Sequence, residues 1–214
     1  MNHSGSYNST LPSRTAAALA LVLALCSAEG LGARHIDLEA QVVRVLDGDT
    51  MKVRLDSGKT EVVRFWGIDA PESYARRYGY TEYLGRDSAR FTRELLQGKR
   101  VRLQAQARGD EPGRDRYRRI LAFVYHENRD VCALLVEKGL ARVYRKFKSP
   151  RHAELVKIED AAREKGLGIW NTAEEKEFYR RQYRRNRNRK LVSWFREHDP
   201  GFLDDPGSAG KDVR

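Results

Sequence analysis

The chain has 214 residues, 40% of them hydrophobic and 33% charged, the make-up of a water-soluble globular protein with room for one ordinary core. Its 41 Lys and Arg outnumber 30 Asp and Glu, a formal net charge of +11 that points to a polyanionic partner, nucleic acid or an anionic membrane surface. Two Cys and five scattered His without ligand spacing exclude a disulfide framework and a zinc site.

Residues 1–33 differ from the rest. Met1 to Thr15 is polar with Arg14 and no acid, Ala16 to Leu25 is unbroken apolar sequence, and small residues follow at Ser27 and Ala28. This is the layout of a secretory signal peptide. The apolar run is far short of the roughly 20 residues that a membrane span requires. Cleavage after Ala28 is expected, giving an exported protein, periplasmic or secreted. A lipoprotein acylated at Cys26 is the less favoured reading, because Leu25 is large where such sites take a small residue. Only Cys132 then remains, in an apolar helical stretch, and it reads as a core residue.

Three strand-like runs follow: QVVRVL from Gln41, TMKVRL from Thr50 and TEVVRFW from Thr60, separated by the turn signals DGD and DSGK. Residues 67–84 read as a loop. Gly85 to Leu96 is predicted helical and ended by Gly98, and Arg100 to Gln106 alternates as a fourth strand. A charged loop spans 107–117, and Ile120 to Tyr125 is a fifth strand. Helices are predicted at Val131–Lys138 and Pro150–Lys165. Lys176 to Arg196 predicts a further helix with a basic face and a partial aromatic one, and 198–214 a disordered tail. The fold class is mainly β with packed helices (α+β), a five-stranded oligonucleotide-binding barrel. The expected division is a signal peptide at 1–33, the barrel domain at 34–170 and the basic extension at 171–214.

Two acidic turns carry the first candidate chemistry. Asp47-Gly48-Asp49-Thr50 lies in the first hairpin, and Asp69-Ala70-Pro71-Glu72 follows the third strand. Acidic turns at the ends of adjacent strands can converge on one hard cation, which takes carboxylate and carbonyl oxygens. Two arginines carry the second, because a planar guanidinium donates paired hydrogen bonds to phosphate. Arg64 precedes Asp69 by five residues, so the two face opposite ways unless the strand ends or bulges between them. Arg119 opens the fifth strand, flanked by Arg116 and Arg118.

The segments VLDGDT (45–50), RFWGIDAPE (64–72), GRDSARFTRELL (85–96), DRYRRILAFVY (115–125), LLVEKGLARVYRKF (134–147) and AAREKGLGIW (161–170) together resemble the staphylococcal nuclease (thermonuclease) family. The resemblance runs in order over about residues 36–170. It implies a hydrolase, an endonuclease that cuts phosphodiester bonds of DNA and/or RNA with Ca2+ and leaves 3′-phosphate ends. It further implies Asp49, Asp69 and the Ala70 carbonyl as metal ligands, with Asp47 beside them. Glu72 resembles the residue that activates water, Arg64 and Arg119 the pair that grips phosphate, and Tyr117 and Tyr144 substrate contacts. Arg118 departs from the family, which has a small residue before the second arginine. The alternative is an inactive barrel that binds nucleic acid without cutting it. No obligate protein partner is indicated, a monomer is expected, and residues 176–196 suit weak contact with an anionic membrane.

Overall fold

One long strand sets the architecture, seen in a computed structural model that describes residues 34–74, 80–186 and 190–205. The expected signal peptide at 1–33 and the last nine residues of the expected tail lie outside the described residues. Strand β1 runs His35–Asp47, starting earlier than the expected Gln41. Its first half pairs antiparallel with β5 (Arg100–Arg108) and its second half with β2 (Thr50–Leu55). The early start follows from the alternation of Ile36, Leu38 and Ala40, of which Leu38 and Ala40 pack on the core.

Strand β2 pairs with β3 (Thr60–Phe65), β3 runs parallel to β7 (Ile120–His126), and β7 returns to β5. Five strands therefore close into a barrel, filled by Met51, Val53, Phe65, Leu103, Ile120 and Phe123 among others. Two segments expected to be loops contain short strands. β4 (Ile68–Asp69) pairs with β9 (Arg142–Val143), and β6 (Glu111–Pro112) extends β5 as a hairpin. β8 (Arg129–Asp130) does the same for β7.

Helix α1 (Gly85–Leu96) matches its expected bounds and turns Ser88, Ala89, Thr92 and Leu96 inward, the spacing of one helical face. α2 (Val131–Glu137) begins where the Asp130 carboxylate accepts the Ala133 N–H at 3.0 Å. α3 (His152–Glu164) packs against α2. Cys132 lies in α2 as a fully buried free thiol, its pKa pushed up by burial.

The C-terminal region corrects the sequence reading. Instead of one helix over 176–196, α4 (Thr172–Asn186) starts earlier and α5 (Lys190–His198) is separate. Instead of a disordered tail from 198, α6 (Gly201–Asp204) follows and buries Phe202. Phe202 meets Phe195 with ring centroids 4.5 Å apart, and Arg180 binds Asp199 at 2.8 Å. Burying an aromatic side chain contributes about 1.5–3 kcal/mol, which polar composition alone does not reveal. Tyr83, Tyr179, Leu191, Phe195 and Phe202 form a second core between these helices and the segment before α1.

A buried acid fixes the small β4–β9 pair. Glu159 of α3 is 1% exposed, accepts the Val143 N–H at 2.7 Å and is paired with Arg145. Glu159→Ala should lower the unfolding free energy by about 2–3 kcal/mol in a denaturant titration, because it strands a buried N–H. Arg145→Ala should cost less than Glu159→Ala, because Arg163 remains 3.5 Å from the same carboxylate and the Val143 N–H keeps its acceptor.

Candidate active site

The site is built where β1 hands over to β2 and β3 to β4. In the first turn Asp47 Oδ1 accepts the Gly48 N–H at 2.9 Å and reaches the Ser73 N–H at 3.4 Å, tying the two acidic turns together. Asp49 is 4% exposed. Its Oδ1 accepts the Thr50 hydroxyl at 2.9 Å and its Oδ2 the Ala70 N–H at 2.7 Å. The Asp49 carbonyl in turn accepts the Phe65 N–H at 2.9 Å.

Arg64 and Asp69 meet because the strand between them ends. β3 stops at Phe65, and Gly67 adopts a left-handed conformation with φ 82°, which favours glycine. The chain thus reverses, and the Arg64 guanidinium bridges the Asp49 and Asp69 carboxylates. Burial lowers the pKa of Arg64, and the nearby charge of Arg119 lowers it further against the opposing pull of Asp69. The two arginines therefore act on one region.

Glu72 occupies a loop held on both sides. Its N–H donates to Glu82 Oε2 at 2.8 Å, and its carbonyl accepts the Glu82 N–H at 3.1 Å. Gly85, at the start of α1, packs so tightly on the Glu72 carbonyl that any Cβ there would overlap it. The Glu72 side chain reaches solvent, yet its pKa is pushed up to about 7. Partial burial is the main cause, followed by the negative charge and hydrogen bond of Asp47, then by Glu82.

Arg119 is aimed by Asp115. The Asp115 carboxylate accepts Arg119 Nε at 2.7 Å, and also the backbone N–H groups of Tyr117 and Arg119, both at 2.9 Å. Arg118 sits in the left-handed region at φ 65°. That conformation costs a residue with a Cβ roughly 1 kcal/mol, but the turn survives the departure at this position. Tyr117 is 61% exposed beneath the guanidiniums of Arg116 and Arg119, at 4.7 and 5.3 Å. Tyr144 lies further along, anchored by its N–H to the Gly67 carbonyl at 2.8 Å, with its ring 6.2 Å from Phe147. It lines a cavity of about 320 Å³ with Asp69 and Arg142.

Sequence reasoning passed over Asp115, Glu82, Gly85 and Glu159. Each acts by holding a neighbour, and only the Asp115-to-Arg119 spacing hinted at it.

Among the described residues no three His, Cys or acidic side chains gather into a ready-made metal cage. What the structure does bring together is a pair of carboxylates, Asp49 and Asp69, around one positive group. Hard oxygen donors of this kind, with the backbone carbonyl of Ala70 directly after Asp69 in sequence, fit a hard divalent cation such as calcium.

Residues 62–172 match the family described as Staphylococcal nuclease homologue. The chain belongs to that family. It is 31% identical to an uncharacterized endonuclease of Haemophilus influenzae over 77% of this chain and 82% of the relative. It is 36% identical to a thermonuclease of Staphylococcus intermedius, covering 60% of this chain and 74% of the relative. A micrococcal nuclease of Shigella flexneri is 33% identical over 63% and 75%.

The hydrogen bonds to Asp115 carry a pH prediction. Burial alone would raise its carboxyl, but Arg119 and the two backbone donors outweigh burial and hold it below the usual range. A folded pKa below the unfolded one stabilises fully above the ordinary Asp range, and that stabilisation is lost as pH falls through the lowered value. Asp115→Asn should therefore be less stable at neutral pH, with the gap to the parent closing below about pH 4 in denaturation series.

Proposed function

We propose that this protein is a calcium-dependent nuclease acting on DNA and/or RNA, leaves 3′-phosphate ends and is exported after loss of its N-terminal segment. Membership of the family, with relatives named thermonuclease, micrococcal nuclease and endonuclease, makes the chain a nuclease, a hydrolase of phosphodiester bonds. The finer reading rests above all on one observation. Asp49 and Asp69 meet at the Arg64 guanidinium, beside Glu72 and within the field of Arg119.

Phosphodiester hydrolysis needs positive charge where the phosphate becomes more negative, and a base for the water. Asp49, Asp69 and the Ala70 carbonyl are the groups that would hold calcium, which supplies charge against the phosphate. Arg64 and Arg119 donate N–H groups to its non-bridging oxygens, and Tyr117 and Tyr144 flank the substrate. Asp47 keeps the two acidic turns in register. Glu72 takes a proton from the attacking water, whose oxygen bonds to phosphorus as the bond to the 5′ oxygen breaks. The 5′ oxygen takes up a proton, leaving a 3′-phosphate and a 5′-hydroxyl. A carboxylate whose pKa lies near neutrality in the cation-free site is poised for that transfer.

The export reading is supported by Ala16 to Leu25 and the small residues after it. N-terminal sequencing of protein recovered from the exported fraction should begin at Glu29.

Purified protein should cleave single- or double-stranded DNA or RNA with calcium and stop with chelator. Absence of calcium-dependent cleavage of all four substrates would remove the cation from the proposal. Products with 5′ label that a polymerase extends only after phosphatase treatment carry 3′-phosphate ends; extension without that treatment contradicts the bond proposed. Glu72→Gln should retain the fold and lose roughly 10²-fold or more in kcat, in line with the loss of a general base. Gly85→Ala should lose activity through displacement of the Glu72 carbonyl while leaving KM for substrate less affected. Near-parent kcat in either variant contradicts the role given to that residue.

A further inference from the structure

Beyond the scissile site the chain carries a second basic surface. A cleft of about 400 Å³ lies between the segment leading into α1 and one face of α4. Arg86 lines it from the first side, and Phe178, Arg181, Gln182 and Arg185 from the second. The α4 residues recur at three- and four-residue spacing, so they form one stripe of the helix. The two walls are joined by specific hydrogen bonds. The Tyr83 N–H donates to Tyr179 Oη at 3.0 Å, Tyr83 Oη to Glu174 at 2.8 Å, and Gln182 Nε2 to the Thr81 carbonyl at 2.7 Å.

The charges in the cleft are unequally satisfied. Its two acids are engaged elsewhere, Asp87 with Arg90 and Glu82 with the Glu72 N–H. Arg86, Arg181 and Arg185 form no ion pair among the described residues, and all three are exposed. Guanidiniums facing one another across a cleft repel unless an anion lies between them. Glu82 also joins the cleft to the catalytic loop, since its carboxylate holds the Glu72 backbone. The cleft therefore begins beside the loop that carries Glu72.

The occupant follows from what the aromatic side chains are doing. A membrane-surface helix needs its aromatic face free to enter lipid. Here Tyr179, Phe195 and Phe202 are buried in the second core at 4%, 0% and 4% exposure. Arg181, Gln182, Arg185 and the half-exposed Phe178 remain on the cleft side of α4. A positive groove with an aromatic side chain beside it is the usual surface for tracking the backbone of a single strand.

We propose that this cleft is a phosphate-binding subsite for single-stranded nucleic acid, formed by Arg86, Arg181 and Arg185, that engages the strand several nucleotides from the bond being cut. It rests on the nuclease reading for its substrate but not for its test, because binding is measured without cleavage. The full mature chain, in chelator, is titrated against a fluorescent single-stranded 20-mer and a tetramer over a salt series. Arg181→Gln/Arg185→Gln should weaken the 20-mer about tenfold or more and leave the tetramer within twofold. Its log Kd against log salt should flatten by about 1.4, at about 0.7 per lost phosphate contact on a single strand. Arg86→Gln should flatten the slope by about half as much. Lys157→Gln/Lys165→Gln, which removes two exposed charges from α3 and the residue just after it, is the control for net charge.

An unchanged 20-mer slope in the double variant overturns the subsite, as does an equal loss in the control. Binding to phosphatidylserine vesicles that falls with the double variant, while 20-mer binding does not, reassigns the surface to lipid and also overturns it. Calcium-dependent cleavage of the tetramer should be unaffected by the α4 substitutions. A parent chain that binds through these arginines but cleaves nothing leaves the subsite standing and removes the nuclease reading. Cleavage without the salt signature does the reverse.

Discussion

Everything at the active end of the barrel depends on keeping several carboxylates close together against their own repulsion. Asp47, Asp49, Asp69, Glu72 and Glu82 all belong to two adjoining turns and the segment facing them. A pair of like charges about 4 Å apart costs on the order of 4 kcal/mol at the effective dielectric of a protein surface. The rise of the Glu72 pKa to about 7 is the visible sign of that pressure. The fold opposes it with fixed donors rather than with solvent. The N–H groups of Gly48, Ser73, Ala70 and Glu72 each point at one of these acids, and Arg64 lies between two of them. Such donors lose little on reorganisation because the barrel strands already hold them, which is what makes an acidic site ready for a cation.

The two arginines are prepared in different ways, and the difference has consequences. Arg64 is 15% exposed and bound to the acids of the site itself, so its charge is part of their balance. Arg119 is held outside that cluster by Asp115, which takes its Nε and two backbone N–H groups at once. A carboxylate that binds both the side chain and the turn that presents it fixes direction as well as charge. This explains why Arg118 is tolerated in a left-handed position: the turn is overdetermined by Asp115, and roughly 1 kcal/mol of strain does not open it.

What the sequence made legible follows from what periodicity and turn chemistry can encode. The strands at Thr50 and Thr60 and helix α1 were readable to within a residue, because alternation, Asp-Gly and Gly98 each act locally. The acids and arginines were readable as a set from their motifs. The convergence of the acidic turns was readable as well, but whether Arg64 joins them was left open, since it reaches Asp69 only because the strand ends at Phe65 and Gly67 reverses the chain. The supporting residues were harder still. Glu159, Glu82 and Asp115 look like ordinary surface acids in a chain that is 33% charged, and burial or a distant backbone N–H is what distinguishes them. The C-terminal helices were misread for the same reason. Their basic residues dominate composition, while the few aromatics that decide the packing are spread from Phe178 to Phe202 and need Tyr83 to complete a core.

That completion makes the extension more than an appendage. Residues 81–83 are gripped from α4 by Tyr179 and Gln182, and residue 82 is the one that holds the Glu72 backbone in both directions. A barrel without α4 would leave this segment tethered only through Gly85 and the Glu72 pair. The same aromatic core that orders the extension thus stiffens the loop bearing the proposed base, and it does so by consuming the aromatic face. Arg181 and Arg185 are left unpaired on the cleft side of α4 among the described residues, so one helix both stiffens the site and offers charge to an anion.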